Sequence, residues 1–196
     1  DGQLGADLSL ALGRDTLALG GDITVGGLAY DRQPFGDLAL RARYGQGREQ
    51  RADVRLAIDT AEVLAATASY DAAAPSPLDA RIALRELPLQ RFDAFLPAEM
   101  LRLTGSLSGR LQAEGAIDAP QLNGRLRFAG TELRVPMIGT SFRLSEDTIR
   151  FDESRLRFDR YAILAPNRQP LTIDGQIDLS DLQRMTADLR LQASDF

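Results

Sequence analysis

From Leu103 to Ala113 the chain reads Leu-Thr-Gly-Ser-Leu-Ser-Gly-Arg-Leu-Gln-Ala, apolar or glycine at each odd position and polar at each even one. A period of two belongs to an extended strand with one greasy and one wet face. The pattern returns at Leu122, Gly124, Leu126 and Phe128, with Arg125 and Arg127 between them, at Leu171, Ile173, Gly175, Ile177 and Leu179, and at Met185, Ala187, Leu189 and Leu191. The first 84 residues are written the same way, from Leu8, Leu10 and Leu12 through Leu38, Leu40 and Ala42 to Leu78, Ala80, Ile82 and Leu84. Polar or glycine-bearing breaks such as Gly45-Gln46-Gly47-Arg48 and Ala74-Pro75-Ser76-Pro77 separate the runs. The spacing predicts roughly fourteen short strands with sequential neighbours, an all-β architecture that extends by adding strands.

One segment departs from this period. Between Leu87 and Pro97, Leu89, Phe92 and Leu96 recur at helical spacing with Phe95 beside them, which predicts a short amphipathic helix over 87–97. Pro88 suits its first turn and Pro97 its end. It is expected either to plug an end of the apolar face or to pack as a plain connector. Asn123-Gly124 and Asp174-Gly175 are dipeptides favoured in two-residue hairpin turns. A turn there would set Leu122 against Arg125 and Ile173 against Gln176. Running straight through keeps the apolar residues on one face, so both are read as strand interior. Turns are expected instead at Asp118-Ala119-Pro120 and around Ser145-Glu146-Asp147.

Composition adds limits. The chain has 196 residues, 44% of them hydrophobic, which is a folding composition and excludes disorder. Aromatics are sparse at 6% and Trp is absent, so the apolar face is mostly Leu, Ala, Ile and Val. Net charge is −5, and arginine alternates with aspartate along most strands, a mixed solvated face that argues against nucleic acid. No run reaches the roughly 18 apolar residues that span a bilayer, and no basic region followed by an apolar stretch opens the chain. The text begins and ends inside strand-like sequence, as a part of something longer would.

Histidine and cysteine are both absent. That removes His-based general bases, Ser-His-Asp and Cys-His triads, disulfides, thiolate metal sites and most zinc or haem sites. Gly105-Ser106-Leu107-Ser108-Gly109 is no nucleophile elbow, because Leu107 holds the nucleophile position. Carboxylates cluster at Glu146-Asp147 and Asp152-Glu153, but Ile149 and Phe151 alternate between them in strand fashion and no calcium-loop spacing follows. They read as solvated turns. No enzyme, catalytic residue, metal or cofactor is expected.

The second half resembles a known family, the C-terminal region of TamB in the AsmA-like group of Gram-negative envelope proteins. The resemblance rests on Gly105–Leu111, Gly115–Gly124, Leu133–Thr140, the paired Ile149-Arg150-Phe151 and Leu156-Arg157-Phe158, and Leu171–Ile177. The preceding segment from Leu87 to Pro97 also fits, so the likeness covers about residues 87 to 196. It implies a protein anchored in the inner membrane through parts absent from this chain, crossing the periplasm as an elongated, taco-like curled sheet with an apolar groove. It further implies work beside an outer-membrane assembly barrel of the TamA kind, in envelope protein assembly and phospholipid movement between the membranes.

The expected organisation is a repetitive β segment over 1–86, the helix over 87–97 and a TamB-like β segment over 98–196, together one continuous curled sheet. Leu103, Leu107, Leu111, Leu126, Phe128, Ile149, Phe151, Leu156, Phe158, Ile173, Ile177, Leu189 and Leu191 are expected to line one concave apolar face, the lipid groove. Burying one Leu or Ile is worth about 1.5–3 kcal/mol, so such a face needs a cover. A curled sheet sheltering phospholipid acyl chains makes a lipid conduit. An open edge pairing with outer-membrane client strands makes a scaffold or chaperone. A second sheet makes a closed β-sandwich binding module.

Overall fold

The computed structural model describes residues 2–14, 16–30, 33–47, 49–95, 101–180 and 184–193. Alternating apolar and polar side chains with glycine-bearing breaks give strands throughout. Thirteen of them form one antiparallel sheet. In chain order they are β1 (Gln3–Leu12), β2 (Leu17–Tyr30), β3 (Gln33–Gln46), β4 (Gln50–Ile58), β5 (Ala61–Tyr70), β6 (Leu78–Pro88), β7 (Arg102–Ala116), β8 (Ala119–Val135), β9 (Thr140–Leu144), β10 (Thr148–Asp152), β11 (Arg155–Leu164), β12 (Pro170–Asp178) and β13 (Thr186–Ala193). Neighbours in the sheet follow sequence order, except that β9 leaves the path and pairs with β8 and β11. The strands are fewer and longer than their spacing suggests, with β2 and β3 at 14 residues, β7 at 15 and β8 at 17.

The chain divides into two compact units, Asp1–Arg85 with Gln112–Gln121, and Glu86–Leu111 with Leu122–Phe196. In the first, the β4–β5 hairpin turns through Asp59 and Thr60, both at positive φ (47° and 72°), the backbone such two-residue turns demand. Its edge is stitched down by reciprocal bonds: Asp37 N–H donates to Asp59 Oδ1 and Asp59 N–H to the Asp37 carbonyl, both at 2.8 Å. In the second unit β10 and β11 turn through Glu153 (φ 48°) and the buried Ser154 (φ 63°), whose Oγ accepts the Leu122 N–H at 3.0 Å. Of the acidic pair, Asp152 therefore closes β10 and Glu153 enters the hairpin turn.

The helix expected over 87–97 is corrected. Leu87 and Pro88 complete β6, and Leu89–Phe95 forms a 3-10 turn. Seven residues offer too few i→i−4 bonds to offset helix nucleation, and short connectors adopt the tighter 3-10 form. Pro88, lacking an N–H, is tolerated at a strand end. Leu89 is buried and Phe92 half-buried; the Phe95 side chain, Leu96 and Pro97 lie outside the described residues.

Both dipeptides read as strand interior lie there: β8 runs through Asn123-Gly124 and β12 through Asp174-Gly175. The β7–β8 turn is at Ile117-Asp118, one residue before its expected place, and the chain leaves strand at Ser145–Asp147. No helix among the described residues is long and apolar enough to cross a membrane. Conventional core is scarce: among the described residues the buried apolar set is Phe35, Ile58, Val63, Leu89, Ile149, Tyr161 and Ala165.

Candidate functional site

Residues directly opposite each other in a ladder share a face of the sheet. In the first unit the pairing sets Ala6, Ile23, Leu40, Leu56, Leu64 and Leu84 in one line across six strands. A second line runs through Leu10, Leu19, Tyr44, Ala52, Ala68 and Ala80. The reverse side carries Asp7, Asp22, Arg41 and Arg55 in a line of its own. One side is thus mainly aliphatic and the other charged.

The second unit repeats this with the expected groove residues. Leu126 stands opposite Ile149, Phe151 opposite Leu156, Leu156 opposite Ile177, and Ile173 opposite Leu191. Phe158 and Leu189 both face Gly175, and alternation along β8 adds Phe128. A β-carbon on Gly124 would fall against the Arg110 carbonyl and 3.0 Å from Leu111 Cδ2. One on Gly109 would lie 2.6 Å from Leu126 Cδ2. These approaches set Leu111 opposite Gly124 and Gly109 opposite Leu126, so Leu111, Leu107 and, along the same strand, Leu103 join the face. All thirteen expected residues share one side of the sheet in this unit. Only Ile149 is buried, at 6% exposure; Leu189 and Leu191 on β13 are exposed at 38% and 60%, and the others are half-buried.

Glycine has a steric reason at two of these positions. Gly124 and Gly175 hold φ of 149° and 126°, where L side chains are strained, and each lies against the neighbouring backbone. A side chain on Gly175 would collide with the Asp188 carbonyl. The leucines of the adjacent strands occupy the space instead.

Sequence reading missed a line along which the apolar side changes parity in β8, in β11 and between β10 and β9. In β8 the apolar side passes from Leu126 to Leu133 across Gly130 (φ 56°), and Leu133 faces Phe142. In β11 it passes from Phe158 to Tyr161 across Arg160 (φ 46°). Between them β9 and β10 are end to end, broken at Ser145–Asp147, with Leu144 facing Ile163. Bulges of this kind bend and twist a sheet. Two side chains fasten the line. Glu146 accepts the Gly130 N–H at 3.2 Å and pairs with Arg127 at 2.7 Å. Tyr161, 4% exposed, donates its hydroxyl to the Ser145 carbonyl at 2.8 Å and meets Phe158 edge-on at 6.0 Å. Burial, with the charge of Asp147 adding to it, pushes the Tyr161 phenol up to about 12. Leu133, Phe142, Leu144, Tyr161, Ile163 and Leu171 therefore belong to the apolar side as well. The visible signal was the switch from even to odd apolar positions after Phe158.

The charged side is laced with exposed ion pairs: Arg41–Asp22 at 2.5 Å, Arg85–Glu62 at 2.8 Å and Arg157–Asp152 at 2.9 Å. Hydrogen bonding to Asp22 raises the Arg41 guanidinium above its ordinary value. Hydrogen bonds from Ser180 first, with Arg155 nearby, lower the Asp178 carboxyl. Such exposed pairs each contribute only about 0–1 kcal/mol. A recess of about 640 Å³ in the first unit opens on this charged side, walled by Arg43, Asp53, Thr67 and Arg81 over small residues such as Gly20 and Gly45. A smaller one of about 250 Å³ in the second unit also lies on the charged side, at Glu132, Arg143 and Leu164. Both recesses thus lie on the wet side.

Among the described residues no group of carboxylates is arranged to hold a metal. Glu146, Asp152 and Glu153 turn to Arg127, Arg157 and Arg155. No family model matches this chain, no curated protein matches it, and no solved structure matches it.

Proposed function

We propose that the apolar face is a carrier surface for phospholipid acyl chains. The observation that carries this reading is the mismatch between the extent of the face and its cover. Line after line of Leu, Ile, Val, Ala and Phe crosses the strands, yet of the nineteen face residues named in the second unit only Ile149 and Tyr161 are buried. An apolar surface of that extent is stabilised by an apolar partner. Its chemistry selects the partner's class: a mainly aliphatic lining suits long hydrocarbon chains better than a compact ligand needing several convergent polar groups.

The resemblance of residues 87–196 to the TamB C-terminal region supports the setting: a periplasmic, inner-membrane-anchored protein that passes phospholipid between the membranes beside a TamA-like outer-membrane barrel. A second reading, a scaffold for outer-membrane barrel or autotransporter assembly, is favoured by one observation. Among the described residues, strands β1 and β13 each pair on one side only and are exposed along their whole length, open edges to which a client strand can add.

Organic extraction and mass spectrometry of the purified chain test the first reading. Phospholipid should co-purify, and its amount should fall in Leu126→Arg. Protein that is lipid-free and takes up none from vesicles of phosphatidylethanolamine and phosphatidylglycerol would overturn it. Edge-strand crosslinks to a barrel client in the absence of lipid would favour the scaffold.

A further inference from the structure

The reverse side of the same strands holds a feature that alternation along the chain hides. Arg125 stands directly opposite Arg150, and Arg150 directly opposite Arg157. The close approach of Gly124 to the Arg110 carbonyl and to Leu111 sets Arg110 opposite Arg125. Four arginines therefore occupy adjacent strands at one level, about 5 Å apart from strand to strand. Arg157 is engaged by Asp152 at 2.9 Å. Among the described residues no hydrogen bond or ion pair engages the side chains of Arg110, Arg125 or Arg150, and all three are exposed.

A pair of neighbouring arginines in the first unit is arranged differently. Arg41 and Arg55 are also neighbours, but Asp22 neutralises the first at 2.5 Å and Asp53 the second at 3.3 Å. Like charges directly opposite one another destabilise a sheet. In a chain whose net charge is −5, with acidic residues in excess, three adjacent unneutralised arginines stand out.

We propose that Arg110, Arg125 and Arg150 form a binding site for phosphate groups, taking a ligand or surface that carries at least two of them. Guanidinium forks match oxyanions in bidentate fashion. A tetrahedral phosphate between two neighbouring arginines presents oxygens to both, and a chain of two or more phosphates can reach all three. Phosphate can come free or as the headgroups of anionic lipid, and the chemistry of recognition is shared. The site is independent of the acyl-chain reading, since it lies on the opposite side of the strands.

The test is titration of the chain with inorganic tripolyphosphate, and separately with vesicles of pure phosphatidylcholine or of phosphatidylcholine containing phosphatidylglycerol. Tripolyphosphate is expected to bind with an affinity that falls steeply with salt. Arg150→Gln, removing the arginine flanked on both sides, should weaken it at least tenfold, and Arg41→Gln should leave it unchanged. Binding only to phosphatidylglycerol vesicles, with the same dependence on Arg150, assigns the phosphate to lipid headgroups; binding to tripolyphosphate assigns it to a free ligand. Circular dichroism and thermal melting confirm folding, and the ligand should raise the melting temperature of the parent chain more than that of Arg150→Gln. Equal losses in Arg41→Gln and Arg150→Gln, tighter binding of an oligoaspartate peptide than of tripolyphosphate, or no binding to either phosphate source would each overturn the proposal.

Discussion

Replacing Leu126 by arginine separates an open apolar face from a closed core. Leu126 is half-buried, opposes Ile149 and leans over Gly109, its Cδ2 2.6 Å from where a β-carbon would stand. Full burial of a leucine is worth about 1.5–3 kcal/mol, so a half-covered one contributes about 0.8–1.5 kcal/mol. On an open face the arginine stem lies along the aliphatic surface and the guanidinium reaches water. The expected loss is therefore about 1–2 kcal/mol. In a closed core an unpaired buried charge would cost about 3–5 kcal/mol, a large share of the roughly 5–15 kcal/mol that holds a domain together. Arg125→Ser on the other side relieves a like-charge neighbour and should move stability by no more than about 0.5 kcal/mol. Urea unfolding followed by circular dichroism reads all three proteins, with the denaturant slope unchanged if the folded and unfolded states are unaltered. A Leu126→Arg chain that is unfolded without urea would refute the open face.

Gly124→Val places a side chain at φ 149° against the Arg110 carbonyl and should cost at least about 1–3 kcal/mol, read as an earlier urea midpoint; an unchanged midpoint would mean the strands are not so closely apposed. Tyr161 is held protonated in the folded chain up to about 12 against an ordinary 10, so its contribution is fully present below pH 10 and is lost as pH rises through 12. Absorbance of the phenolate should show one tyrosine titrating late, and Tyr161→Phe should remove that step. The edge strand β1 exposes Leu4, Leu8, Leu10 and Leu12 at 61–75%. The Gly13 N–H bonds the Thr16 carbonyl, so alternation turns the backbone groups of these leucines to the free edge. The chain should pair with a second copy there with Leu8 opposite Leu8, and Leu8→Lys should give the monomer mass in sedimentation. A parent chain monomeric at high concentration would contradict that pairing.

How much of this was legible follows from what period-two text can encode. Alternation names the residues that share a side as long as a strand keeps its pleat, and from Leu38 to Tyr44 or Ile173 to Ile177 it does. It also rejects the hairpin at Asn123-Gly124, because the turn would oppose Leu122 and Arg125. Alternation does not carry across a bulge, where one residue moves the apolar set to the other parity. Leu28 after Val25, and Tyr161 after Phe158, are the traces of such shifts. The segment after Pro88 has helical spacing but too few residues to profit from it. Cross-strand neighbours are the least visible of all: Arg110, Arg125, Arg150 and Arg157 are scattered along the text and become one line only through the register. The recess at Arg43 and Arg81 is assembled the same way, from six strands.

The most direct test of the account places a photoreactive amino acid at Leu126 or Ile177 on the apolar side, and at Arg127 or Gln176 on the charged side. The chain is then irradiated with vesicles of phosphatidylcholine alone, which carry no net negative charge for the arginines to hold. Phospholipid adducts, identified by mass spectrometry, are expected at 126 and 177, at several times the yield found at 127 and 176. Equal yields on the two sides, or adducts confined to 127 and 176, would contradict the assignment of the aliphatic face to acyl chains.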